Sequence, residues 1–143
     1  MAEKRVLGLD YGARTVGVAV SDPLRCTAQP VETVTRERET KLRKTLARIQ
    51  ELAETYQASE AVVGLPLRLD GTEGERCEKT KAFAEALRDR LTCPVHLWDE
   101  RLTTVEADRV MRAGGLDREE RESRSDTLAA VLILQSWLDA HPL

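Results

Sequence analysis

Residues 5–21 read RVLGLDYGARTVGVAVS, and this stretch decides the fold. Arg5 to Asp10 is a short apolar run that ends in an acid and meets Tyr11-Gly12, a turn signal, so it reads as a buried strand. Thr15 to Ser21 is rich in β-branched residues and follows within a few positions, which predicts an antiparallel hairpin with the first strand. After a loop containing Pro23, Gln29 to Thr35, with Val31 and Val34, supplies a third strand and completes a meander.

Beyond the meander the period changes. Leu42, Leu46, Ile49, Ala53 and Tyr56 recur at spacings of three and four, which predicts an amphipathic helix over Arg36–Gln57. Glu60 to Leu65 is a compact strand stopped by Pro66, and Leu67 to Gly74, with Asp70-Gly71, reads as a mobile loop. A second helix is expected over Glu75–Leu91, with Ala82, Phe83, Ala86 and Leu87 facing the core, and Pro94 separates it from a last strand, Val95–Asp99.

Thr103 or Thr104 caps a third helix through Met111, ended by Gly114-Gly115. Leu116 to Glu122 is charged without apolar period and reads as an exposed loop. Ser123 or Ser125 then caps a closing helix to Ala140, whose Leu128, Val131, Leu132, Leu134 and Leu138 predict a largely buried element. The order is three strands, helix, strand, helix, strand, helix, helix: an α/β chain of 143 residues, the size of one domain.

Composition limits the chemistry. Apolar residues make up 41% and charged residues 33%, enough for a core and too much charge for a membrane span. The longest uncharged stretch, Thr127 to Leu138, falls short of the roughly 20 residues a transmembrane helix needs. Met1 to Arg5 has no apolar h-region, so a cytoplasmic protein is expected. Cys26, Cys77 and Cys93 form no CxxC pair and read as reduced thiols, and His96 and His141 lie far apart, so any metal would be held by oxygen. A formal charge of −3 disfavours a general nucleic-acid coat but leaves room for a local basic surface. Aromatic content of 3% makes a broad base-stacking platform implausible.

Acids stand at element ends. Asp10 closes the first strand between Gly8 and Gly12; Asp99 and Glu100 follow the last strand; Asp126 opens the closing helix. Each has a plainer reading, as a turn former or as an acid serving a helix N-terminus. Adjacent strand residues point to opposite faces, so only one of Asp99 and Glu100 shares a face with Asp10. Taken together, convergent carboxylates suit divalent cations that activate water and stabilise the leaving oxygen of a phosphodiester, and magnesium favours such an oxygen shell. Arg14, Arg68 and Arg101 lie in or beside flanking loops, where a guanidinium pairs bidentately with phosphate. Thr103 and Thr104 cap a helix and present its amides to a phosphate. Arg36, Arg38, Lys41, Arg43, Lys44 and Arg48 form a solvated face and, secondarily, a backbone-contact surface.

Val6-Leu7-Gly8-Leu9-Asp10-Tyr11-Gly12, continued by Gly17-Val18-Ala19-Val20-Ser21-Asp22, resembles the opening of the YqgF (RuvX) family of Holliday junction resolvases and pre-16S rRNA nucleases. Val63-Gly64-Leu65-Pro66 with Asp70-Gly71, then Asp99-Glu100-Arg101-Leu102-Thr103-Thr104, then Asp126 with Ala129-Ala130, match further blocks in order. The resemblance implies a ribonuclease H-like fold, a five-stranded mixed sheet with helices on both faces. It also implies a site of Asp10, Glu100 and Asp126, choosing Glu100 over Asp99, that holds Mg²⁺ or Mn²⁺, two ions in expectation. The implied partner is nucleic acid, a four-way DNA junction or precursor rRNA, with a monomer or weak homodimer free in solution. Two rivals remain: a non-catalytic nucleic-acid or protein-binding module on the same fold, and an actin-like ATPase, whose two lobes 143 residues do not supply.

Overall fold

Three antiparallel strands, β1 (Arg5–Tyr11), β2 (Thr15–Ser21) and β3 (Ala28–Thr35), open the chain as expected. The computed structural model describes residues 5–68, 70–100 and 118–142, and for 118–126 the backbone only. After β3 come α1 (Arg43–Thr55), β4 (Ala58–Leu65), α2 (Glu75–Arg90), β5 (Val95–Asp99) and α3 (Arg118–Ala140). The sheet order is β3-β2-β1-β4-β5, with β1 parallel to β4 and β4 parallel to β5. The helix expected to follow Thr103 or Thr104 lies outside the described residues.

Strand alternation divides the core between the two sheet faces. Leu7, Leu9 and Tyr11 of β1 with Ala61 and Val63 of β4 pack against Leu46, Ile49 and Leu52 of α1 and Phe83 and Leu87 of α2. On the opposite face Val6 and Val62 meet Ala130, Ile133, Leu134, Trp137 and Leu138 of α3. Fully burying Ile133 and Leu134 contributes about 1.5–3 kcal/mol each. Gly8 admits this helix, since a Cβ there would stand 2.6 Å from Leu134 Cβ and 3.1 Å from the Ala130 carbonyl oxygen. The far end of α3 is fixed by rings: His96 and His141 stack on Trp137 with centroids 5.5 and 4.3 Å away, and Trp98 Nε1 donates to Ser136 Oγ at 3.0 Å.

Several expectations need correction. The first helix begins at Arg43, not Arg36, because the residues before Leu42 offer no apolar face and are held as a turn. Arg36 N–H donates to the Arg14 carbonyl (2.8 Å) and Lys41 N–H to that of Arg38 (3.1 Å). Residues 118–122 are helical rather than loop, so neither Ser123 nor Ser125 caps α3. Glu and Arg are strong helix formers, and a solvated extension of a docked helix needs no apolar stripe. Ala82 is exposed and Ala84 takes its place in the core, one step round the helix. Leu128, Val131 and Leu132 are half-buried, so α3 buries one face only. Leu67–Gly74 is closed by a turn: Arg68 N–H donates to the Thr72 carbonyl (3.0 Å), and Asp70 Oδ1 accepts from Thr72 N–H (2.9 Å).

Candidate active site

Asp10 stands at the carboxyl end of β1, opposite Gly17 of β2. Alternation puts Val6, Gly8 and Asp10 on the α3 face, because Val6 packs into that core and Gly8 meets Leu134. The parallel register ends at Leu9 opposite Val63, which sets Asp10 level with Gly64 of β4.

Glu100 reaches the same place from β5. Its N–H donates to the Leu65 carbonyl (3.2 Å), which prolongs the pairing one residue past Asp99. His96 and Trp98 contact α3, so Glu100 shares the α3 face and exposed Asp99 takes the other. The Glu100 carboxylate lies across Gly64: a Cβ on residue 64 would overlap its Oε2 and stand 2.5 Å from Ile133 Cδ1. Burial, then the Asp10 carboxylate, then that of Asp99 push the Glu100 pKa up from 4.5 to about 8. Two carboxylates from strands that flank β4, with Gly64 of β4 between them and Ile133 as an apolar wall, thus face the end of the sheet where β1, β4 and β5 finish. Open α/β sheets bind ligands at this end.

Asp126 does not open its helix; it lies eight residues into α3, four before Ala130. An acid that far in gains little from the helix dipole, so its plainer reading fails. Because α3 passes Gly8 at Ala130 and Leu134 and reaches His96 at Trp137, position 126 belongs to the half of the helix nearer the carboxyl strand ends. Its side chain, and all of Arg101, Thr103 and Thr104, lie outside the described residues. Arg14 is exposed in the β1–β2 turn. Arg68 is exposed beyond β4, with its guanidinium against Gly74: a Cβ there would stand 3.0 Å from Nε.

A brace behind Asp10 escaped the sequence reading. The Tyr11 ring stacks on Phe83 at 4.3 Å, while the guanidinium carbons of Arg36 and Arg76 lie 4.9 and 5.4 Å from its centroid. Arg36 Nη2 also donates to the Gly12 carbonyl (2.7 Å), tying down the loop after Asp10. Glu39 joins Arg76 (2.7 Å) and Lys79 (3.2 Å), and burial followed by the Glu39 hydrogen bond raises the Tyr11 pKa. The placement of this brace is set by the folded β2–β3 ladder, where Thr15 faces Thr35 and the next pair outward is Arg14 and Arg36.

The model of one family, described as "RuvX: Holliday junction resolvase", matches residues 4–140. This chain belongs to the RuvX family. A relative from Lachnospira eligens, described as "Putative pre-16S rRNA nuclease", is 52% identical over 136 residues, covering 95% of this chain and 97% of the relative. One of the same description from Agathobacter rectalis is 54% identical over 135 residues, 94% of each. Among solved structures, Thermus thermophilus RuvC in complex with Holliday junction substrate superposes with a TM-score of 0.60 at 19% identity, over 98% of this chain and 99% of that one. That likeness establishes the shared fold. The RuvX sheet thus carries Asp10 and Glu100 on a ribonuclease H-like frame with α3 packed across it.

Proposed function

We propose that this chain is a metal-dependent nuclease that hydrolyses phosphodiester bonds in structured nucleic acid, with Asp10, Glu100 and Asp126 as its metal-holding carboxylates. The observation that carries the reading is Glu100, drawn across Gly64 onto the face of Asp10 and held near a pKa of about 8. Such repulsion between neighbouring carboxylates is relieved when both bind a dication. The donors are hard oxygens, which fits Mg²⁺ or Mn²⁺. When bound, the metal, two ions in expectation, supplies an activated water and stabilises the leaving oxygen.

The chain's own groups do the rest. Gly64 leaves room for the Glu100 carboxylate, and Ile133 keeps water from one side of it. The Arg36 bond to the Gly12 carbonyl fixes the turn that follows Asp10. Arg14 and Arg68, exposed in loops on either side, bind phosphate and set the strand in place, together with Arg101, Thr103 and Thr104. Precursor 16S rRNA is the first substrate proposed, because the relatives so described match nearly end to end at about half identity. A four-way DNA junction is the second, carried by the description of the family.

The test is a cleavage assay with Mg²⁺ or Mn²⁺ on a precursor 16S rRNA fragment and a four-way junction side by side. Metal-dependent cleavage that Asp10→Asn abolishes, with an unchanged circular dichroism spectrum, supports the reading. Unchanged turnover in Asp10→Asn overturns the site. Tight binding by the wild type without cleavage of either substrate means that the fold serves as a non-catalytic binding module.

A further inference from the structure

The nuclease reading leaves aside the basic segment after β3, and the structure gives that segment a shape. A cleft of about 520 Å³, within the ~300–1,000 Å³ of small-ligand sites, opens between the end of β3 and the start of α1. It is lined by Thr35, Arg36, Thr40, Lys41, Arg43 and Lys44. Glu37 is the acid in the lining, and it faces Lys41 at 3.6 Å with both side chains largely in water.

Several cations elsewhere are matched. Arg48, on the same helix, pairs with Glu32 (2.6 Å) and Glu51 (3.4 Å). Arg25 pairs with Glu60 (2.6 Å), Lys81 with Glu73 and Arg88 with Glu85. Arg38, Arg43 and Lys44 have no carboxylate oxygen within 4.0 Å among the described residues, and neither does Arg14, whose carbonyl accepts from Arg36 N–H. Arg43 and Lys44 also occupy the first turn of α1, where the helix dipole disfavours cations and no acid compensates. A chain of net charge −3 thus keeps a local positive field over one cleft, which draws a polyanion.

We propose that this cleft is a second backbone-contact site, which holds the phosphodiester chain of the substrate beyond the Gly12 turn from Asp10; the proposal rests on the nuclease reading. Arg36 links the two places, since it lines the cleft while its Nη2 holds the Gly12 carbonyl. No aromatic ring lines the cleft, so it grips phosphate and ribose without reading bases.

The experiment compares wild type, Arg43→Gln/Lys44→Gln and the control Lys81→Gln, which removes a cation paired with Glu73 outside the cleft. Each is titrated with a fluorescein-labelled precursor 16S rRNA fragment and a labelled four-way junction, in Ca²⁺, by anisotropy between ~50 and ~200 mM KCl. The log–log salt slope of the double variant should fall in magnitude by about 0.7–0.9 for each phosphate it no longer neutralises, while Lys81→Gln keeps the wild-type slope. A double variant that melts as the wild type and keeps its slope overturns the proposal, even where the wild type cleaves; the nuclease reading then stands. A reduced slope in a chain that cleaves nothing keeps the cleft and removes the nuclease. Displacement of both probes by orthophosphate at constant ionic strength shows a free-anion site and overturns the proposal, as does a wild type that binds neither probe.

Discussion

The carboxylate of Glu100 rests on the Cα of Gly64, so a strand residue without a side chain sets the position of a carboxylate on the neighbouring strand. Gly64→Ala forces its methyl group into Glu100 Oε2 and to 2.5 Å from Ile133 Cδ1. Overpacking of this kind costs about 1–3 kcal/mol, and a displaced catalytic group costs on the order of 100-fold in rate. The variant should therefore melt a few degrees lower yet lose most of its cleavage; full turnover would show that Glu100 need not lie where it does.

Glu100 also makes metal-free stability depend on pH. Its folded pKa of about 8 exceeds its ordinary 4.5, so the folded state holds this proton more tightly than the unfolded chain. The resulting stabilisation is complete below about pH 4.5 and is lost as pH rises through about 8. With EDTA present, wild-type Tm should fall between pH 5 and pH 9 more steeply than that of Glu100→Gln. Parallel curves would remove the raised value, and Mg²⁺ should flatten the wild-type curve.

Arg14 and Arg68 project from separate loops and neither is matched by a carboxylate among the described residues. Arg14→Ala and Arg68→Ala should each weaken binding about equally for substrates of different sequence. Each should lower the salt slope by about 0.9 on duplex arms or about 0.7 on single strands. Binding titrations across salt decide it, and slopes equal to wild type would make these arginines ordinary surface residues.

Phe83 is fully buried and carries the Tyr11 ring next to Asp10. Phe83→Ala should cost about 3–5 kcal/mol, measured by urea unfolding. Phe83→Leu should recover most of that stability while still lowering turnover, because Tyr11 loses its stacking partner. Wild-type turnover in a stable Phe83→Leu would show that the brace does not reach Asp10.

One carboxylate site cuts one strand at a time, whereas a four-way junction presents two symmetric strands. Sedimentation should find a monomer or weak dimer alone and on rRNA, and paired subunits on a junction. Coordinated cutting of both strands by a single subunit per junction would contradict this.

The amino-acid sequence alone determined the order of the described elements, because the apolar run RVLGLD, the β-branched TVGVAVS and the period of three to four around Leu46 and Ile49 are local properties that burial then rewards. It also supplied Asp10, Asp99, Glu100 and Asp126 as candidate acids, since carboxylates at element ends can be read without knowing what faces them, although Asp126 lies inside α3 rather than at the start the sequence suggested. Helix starts were less legible: Arg36–Leu42 and 118–122 are charged either way, and only Arg36's bonds to Arg14 and Gly12 and the docking of α3 on Gly8 set the boundaries. The family resemblance favoured Glu100 over Asp99, but which of the two shares a face with Asp10 belonged to tertiary structure, because strand parity has no meaning until Trp98 and His96 are seen to pack on α3. The same holds for the basic cleft: which cations are neutralised depends on carboxylates brought from other elements, as Glu32 of β3 is brought to Arg48 of α1, and only the folded chain decides which are left to meet a polyanion.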